Sequence, residues 1–141
     1  VAGQVLDMEA EVKAVSLEQL KQIHVNKTGR LIEFAIVAGA IIAQADDEVI
    51  NQLKQFAYHL GLAFQIKDDI LDVEGSTAVL GKNVGSDLVN GKSTYVSLTS
   101  LTEAKNMLEE EIKCAKVILH NLPVSTAVLE AITDYIKDRQ A

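Results

Sequence analysis

Residues 47–73, DEVINQLKQFAYHLGLAFQIKDDILDV, decide the fold class. Their apolar side chains recur at three- and four-residue steps, which is the period of an α-helix. The residues concerned are Leu53, Phe56, Leu60, Ala63, Phe64 and either Ile70 or Leu71. Asp46 and Asp47 stand at the start of this pattern, where acidic residues cap a helix and favour its dipole. The spacing therefore predicts one long helix from Asp47 to about Val73.

The sequence before this stretch predicts two further helices. Residues 16–19, Ser-Leu-Glu-Gln, have the form of a capping box, so a helix begins near Leu17 and stops around His24 or Val25. Residues 26–29 interrupt the pattern or open the next helix. That helix runs to about Gln44 and is apolar nearly all round, so we expect a central, buried helix.

The sequence after this stretch contains a long loop and two helices. Four glycines, together with the serines Ser76, Ser86 and Ser93, lie between Glu74 and Leu98, which predicts a loop of about twenty residues. Residues 100–103 form a second capping-box pattern that opens a helix to about Asn121. A final helix follows Pro123 over residues 125–138. Because no segment alternates with period two, we predict an all-α chain.

Composition excludes several classes of protein. The 141 residues include 13 Lys and Arg against 20 Asp and Glu, a net charge of −7, which argues against nucleic acid as the main partner. Cys114 is the single cysteine, so no disulfide forms within the chain and a cytoplasmic location is expected. The most apolar stretch, residues 31–45, is interrupted by Glu33 and shorter than the ~20 residues of a membrane-spanning helix. No integral membrane segment is expected.

Four polar side chains lie on one face near the end of the long predicted helix. At ~100° per residue, Gln65, Asp68, Asp69 and Asp72 fall within an arc of roughly 100°. Like charges at this spacing repel one another, and a hard divalent cation would remove the repulsion. Mg²⁺ typically takes one or two carboxylates together with phosphate oxygens and water. A solvated acidic face is the alternative, and spacing alone leaves both open.

Three lysines add a second indication of function. Lys82 and Lys92 lie in the Gly- and Ser-rich segment after the acidic cluster, and Lys27-Thr28 lies at a helix junction before it. Glycine-rich backbone beside lysine is a common way to approach phosphate groups closely. Each lysine taken singly is most simply a surface residue. The combination with the acidic cluster favours a diphosphate ligand.

The chain resembles the trans-isoprenyl diphosphate synthases, most closely those of the bacterial farnesyl diphosphate synthase type. The matching segments, in family order, are residues 3–9 (GQVLDME), 24–29 (HVNKTG), 61–73 (GLAFQIKDDILDV), 80–87 (LGKNVGSD) and 91–95 (GKSTY). The resemblance implies a helical bundle of the isoprenoid synthase type. The family's first aspartate-rich motif has no match, so residues 1–141 are expected to be the C-terminal part of a single domain, which is inactive alone.

The resemblance also implies a reaction. In the family, Mg²⁺ grips the diphosphate of an allylic substrate, and the carbocation left by its departure is attacked by isopentenyl diphosphate. Asp68 matches the principal Mg²⁺ ligand, and Asp69 and Asp72 complete the cluster directly or through water. Lys27 and Lys82 match contacts to the allylic diphosphate, and Lys92 matches a position near the entrance of the same substrate site.

Further matches concern the cavity and the type of product. Thr28 and Gln65 resemble the dipoles that stabilise the carbocation, and Gln4 and Asp7 match positions that face the cavity. The expected reaction extends geranyl to farnesyl diphosphate in a homodimer. A longer-chain synthase, such as one for geranylgeranyl diphosphate, and a catalytically silent helical subunit are the alternatives. A terpene cyclase-like lyase fits Lys82 and Lys92 less well.

Overall fold

A computed structural model describes residues 16–74 and 93–140. These ranges hold six α-helices and no strand, which confirms the predicted fold class. The helices are α1 (Leu17–His24), α2 (Arg30–Ile42), α3 (Asp47–Glu74), α4 (Tyr95–Leu98), α5 (Leu101–His120) and α6 (Ala127–Asp138), and one turn of π-helix (Val25–Gly29) joins α1 to α2. None of the helices in the described ranges is long and apolar enough to cross a membrane.

Helix α3 is the centre of the bundle. It spans 28 residues, and Phe56, Ala63 and Ile66 on it are fully buried. Helix α5 packs along it and contributes Ala104 and Ala115, whose small side chains are also fully buried. The three- and four-residue spacing of the apolar positions on α3 therefore marks the core, and the predicted bounds of this helix are confirmed.

The predicted helix starts are confirmed by their caps. The Ser16 side chain accepts the backbone N–H of Gln19, and the Gln19 side chain accepts the backbone N–H of Ser16, so the capping box of α1 is complete. At α5, the Ser100 hydroxyl accepts the N–H of Glu103 at 3.0 Å. Each cap satisfies backbone donors that have no partner within the helix.

The junction between α1 and α2 is a π-helical turn. Of the two possibilities predicted for residues 26–29, an interruption or the start of the next helix, the structure shows the first, since the α-helix ends at His24 and the π turn covers Val25–Gly29. Single π turns inside α-helices are rare and often occur at functional sites. This one carries Lys27 and Thr28.

The prediction that α2 is buried on all sides is wrong for the described part of the chain. Ala40 is buried, and Ile32 and Ile36 pack against the core, but Phe34 on the other side is 71% exposed. The described residues cover one side of α2 only, and apolar composition does not distinguish a covered side from an open one. The helix also ends two residues before the predicted Gln44, because Gln44 takes a left-handed backbone with φ of 60°.

Helix α4 stands where the sequence predicted a loop. Thr94 caps it, because its side chain accepts the N–H of Ser97 while the Ser97 hydroxyl accepts the N–H of Thr94. A serine thus replaces the usual Glu or Gln of a capping box. The rest of the predicted loop, residues 75–92, lies outside the described residues.

Candidate functional site

The predicted acidic cluster lies in the last two turns of α3, and its three carboxylates differ in their exposure to solvent. The Asp68 side chain is 47% exposed, whereas Asp69 and Asp72 are buried, at 7% and 2% exposure. A fully solvated acidic face therefore does not describe Asp69 and Asp72. Buried carboxylates need hydrogen-bond partners or counter-charges, so the surroundings of each aspartate determine what it can do.

Asp69 anchors helix α4. Its Oδ2 accepts the backbone N–H of Tyr95 at 2.9 Å. Tyr95 is fully buried, and its hydroxyl oxygen lies 3.0 Å from Nδ1 of His24, which is also buried. These contacts join α1, α3 and α4 at one point in the core. They also fix the end of the segment that contains the Gly91–Tyr95 motif.

The surroundings keep the Tyr95 phenol neutral. Burial raises the pKa of Tyr95 well above its ordinary value of 10.0, and the charge of Asp69 raises the pKa further. Both effects disfavour a phenolate, since an anion there would lose its hydration and lie near a carboxylate. The hydroxyl of Tyr95 is thus a stable hydrogen-bonding group at neutral pH.

The π turn lies directly against α3. The Gln65 side chain donates from Nε2 to the Thr28 hydroxyl at 2.9 Å. One turn earlier on α3, a Cβ built on Gly61 would lie 3.3 Å from the Gly29 Cα, so the absence of a side chain permits this close approach. The structure thus brings together Thr28 and Gln65, which the sequence singled out separately. Lys27, which directly precedes Thr28, is exposed.

Arg139 contacts the acidic cluster, although the sequence did not single it out. Its Nη2 lies 3.4 Å from Oδ1 of Asp68 and donates to the Phe64 carbonyl oxygen at 3.3 Å. The guanidinium also lies 4.6 Å from the centre of the Phe64 ring, in a cation–π contact. A single arginine just after the last helix has no motif or period around it, so only its charge could have drawn attention.

The described residues fit a cation that takes few protein ligands. Within residues 16–74 and 93–140, no group of three or more His, Cys, Asp or Glu side chains is arranged to hold a metal ion. Of the three aspartates, Asp68 alone presents a well-exposed carboxylate. Mg²⁺ usually keeps several waters and binds through one or two carboxylates and substrate phosphates. This donor set suits such an ion, and it does not suit a cage of three carboxylates.

Four other predicted site residues lie outside the described residues. They are Gln4, Asp7, Lys82 and Lys92. Their predicted contacts with substrate remain predictions, as do the ligand and substrate roles of the residues described above.

Comparison with known proteins identifies the family. The model of the polyprenyl synthetase family matches residues 1–135, nearly the whole chain. The chain belongs to this family. It is 50% identical over 139 residues to the farnesyl diphosphate synthase of Bacillus subtilis (strain 168), a match that covers 99% of the chain and 47% of that synthase. The family resemblance predicted from the motifs is thereby confirmed.

Other polyprenyl synthetases show the range of products and the fold. The chloroplastic geranylgeranyl pyrophosphate synthase of Catharanthus roseus is 43% identical over 141 residues, with 99% of this chain and 40% of that protein covered. The crystal structure of the polyprenyl synthase from Caulobacter crescentus CB15, complexed with calcium and isoprenyl diphosphate, superposes with a TM-score of 0.87 at 25% identity. That match covers 99% of this chain and 55% of that one. The chain thus spans about half the length of the relatives it matches.

Proposed function

We propose that the chain forms part of a prenyltransferase that condenses an allylic diphosphate with isopentenyl diphosphate. The observation that carries the proposal is the exposed carboxylate of Asp68 on α3, the helix to which Gln65 ties the turn bearing Lys27. An accessible carboxylate on the helix that packs against a lysine-bearing turn suits a metal-bound diphosphate. Because the relatives are about twice as long, we propose the activity for a complete synthase domain. Residues 1–141 would be its C-terminal part and inactive alone.

In the proposed reaction the allylic carbon–oxygen bond breaks, and its electron pair leaves with the diphosphate. The double bond of isopentenyl diphosphate then forms the new carbon–carbon bond, and a proton is lost. Bound Mg²⁺ would supply charge that stabilises the departing diphosphate. Asp68 would hold this ion directly, and the buried Asp69 and Asp72 would complete the cluster through water. The Caulobacter crescentus relative, which was crystallised with calcium and isoprenyl diphosphate, supports a divalent cation and a prenyl diphosphate.

The remaining residues would bind substrate and stabilise charge. We assign Lys27 and Lys82 to binding of the allylic diphosphate and Lys92 to the entrance of the same substrate site. The hydrogen bond from Gln65 to Thr28 fixes both side chains, so their dipoles are preorganised and could stabilise an allylic cation without reorientation. Gln4 and Asp7 would face the cavity. A cytoplasmic homodimer is part of the same proposal.

A longer-chain synthase is the second candidate. The relative from Catharanthus roseus is named a geranylgeranyl pyrophosphate synthase and is 43% identical, so similarity at this level does not fix product length. We favour conversion of geranyl to farnesyl diphosphate because the Bacillus subtilis relative, at 50% identity, is named a farnesyl diphosphate synthase. A silent subunit is disfavoured because the aspartates and lysines of the matching segments are present.

The test is Asp68→Ala in the complete synthase. We expect turnover of geranyl and isopentenyl diphosphate with Mg²⁺ to fall by about a hundredfold or more, because the cation that would stabilise the departing diphosphate loses this ligand. Asp134→Ala is the matched control, since Asp134 is also a half-exposed partner in a surface ion pair, here with Lys116. It should keep full activity. Near-normal turnover by Asp68→Ala would refute the metal role of this carboxylate.

A further inference from the structure

The Arg139 guanidinium is fixed in place by contacts that do not involve Asp68. Its side chain is only 10% exposed, although it follows the last turn of α6. Nη2 donates to the Phe64 carbonyl, and the Phe64 ring lies below the guanidinium. Nε is buried without a hydrogen-bond partner among the described residues. The positive charge is therefore held next to α3 whether or not Asp68 accepts a hydrogen bond.

The contact between Arg139 and Asp68 contributes little to stability. It consists of one approach of 3.4 Å, and the carboxylate is half exposed to water. Ion pairs between exposed groups typically contribute between zero and ~1 kcal/mol. A carboxylate held this loosely can exchange its cation readily. The geometry thus places the single positive charge of Arg139 beside the Asp68 oxygen that the proposed function assigns to a divalent cation.

We propose that Arg139 is a positioning residue that neutralises Asp68 in the metal-free protein and competes with the divalent cation for its carboxylate. The proposal rests on the proposed function, because it takes Asp68 as the metal ligand. A dication that approaches Asp68 meets the repulsion of the guanidinium, and this repulsion weakens the binding of metal alone. A metal that arrives with a diphosphate brings negative charge and meets less repulsion. Arg139 would thus favour the metal–diphosphate complex over the free ion.

The experiment measures binding of Mn²⁺ alone, from the electron paramagnetic resonance signal of the free ion, to the full chain at low ionic strength. Arg139→Gln removes the charge and should tighten Mn²⁺ binding about three- to tenfold. Arg139→Lys keeps the charge and should stay within about twofold of the parent. Arg139→Met is a second neutral variant, whose side chain still packs on the Phe64 ring. Unchanged or weaker binding in the neutral variants would overturn the proposal.

Asp68→Asn separates the failure of this proposal from failure of the proposed function. If Asp68→Asn binds Mn²⁺ as the parent does, Asp68 is not a metal ligand, and both proposals fall. If Asp68→Asn loses binding while Arg139→Gln leaves it unchanged, only the competition fails. Added salt gives a further check, because screening should shrink the difference between Arg139→Gln and the parent.

Discussion

Asp68 and Asp69 carry the same side chain on adjacent residues of α3, yet they lie in opposite surroundings. Asp68 is half exposed and lies 3.4 Å from the Arg139 guanidinium, whereas Asp69 is buried and accepts the N–H of Tyr95 at 2.9 Å. A rotation of about 100° per residue separates them, which is enough to turn one carboxylate outward and the other into the core. A run of similar residues in a motif can therefore combine a group for binding with a group for support.

The largest expected effect is on stability, and it should separate the two aspartates. Asp69→Ala leaves the buried N–H of Tyr95 without this acceptor, so the free energy of unfolding should fall by about 1–3 kcal/mol. Asp68→Ala should lower it by less than about 1 kcal/mol, because Asp68 is half exposed and Arg139 keeps its hydrogen bond to the Phe64 carbonyl. Urea unfolding followed by circular dichroism measures both.

Asp69→Asn is the control for this comparison. Its amide oxygen can accept the same N–H, so most of the stability lost in Asp69→Ala should return. Equal losses in Asp68→Ala and Asp69→Ala would contradict the distinction between a supporting carboxylate and an exposed one.

The free energy of unfolding should also depend on alkaline pH through the buried pair of Asp69 and Tyr95, and not through the exposed Asp68. The pKa of Tyr95 is raised in the folded protein by burial and by Asp69, while in the unfolded chain it stays near 10. Above pH ~10 the unfolded chain therefore releases a proton that the folded protein keeps, and the free energy of unfolding falls by up to ~1.4 kcal/mol per pH unit. This contribution is fully present below pH ~10.

Tyr95→Phe should make the decline in stability between pH ~10 and ~11 shallower by about 1 kcal/mol. Tyr135→Phe is the control, because Tyr135 is 67% exposed. It should leave the slope unchanged. Unfolding curves of the parent and both variants at several alkaline pH values provide the measurement, and parallel slopes in all three proteins would contradict the burial argument.

The sequence predicted what local rules govern and missed what distant contacts decide. The capping box at Ser16 and the apolar period of α3 involve neighbours within a few residues, so the helix bounds followed from them. The contact of Arg139 with Asp68 joins residues 71 positions apart, and no local pattern announces it. Helix α4 was missed for a different reason. Glycine and serine composition predicted a loop, while Ser97 in fact completes a cap with Thr94.

Gly39 and Gly61 show the same contrast, since one lies on an open helix surface and the other on a packed one. Among residues 16–74 and 93–140, a Cβ on Gly39 would meet no heavy atom within 4 Å, whereas a Cβ on Gly61 would lie 3.3 Å from the Gly29 Cα. Alanine is favoured over glycine inside a helix by about 0.5–1 kcal/mol. Gly39→Ala should therefore raise the free energy of unfolding by that amount, as measured by urea unfolding.

Gly61→Ala should show no such gain, because the new methyl group meets backbone of the π turn and the turn must shift for it to fit. We expect a difference of about 1 kcal/mol between the two variants. The shift should also weaken the hydrogen bond between Gln65 and Thr28, since α3 and the turn would separate by a few tenths of an ångström. An equal gain in both variants would mean that the π turn yields freely. In that case it could not hold Lys27 and Thr28 at a defined position against α3.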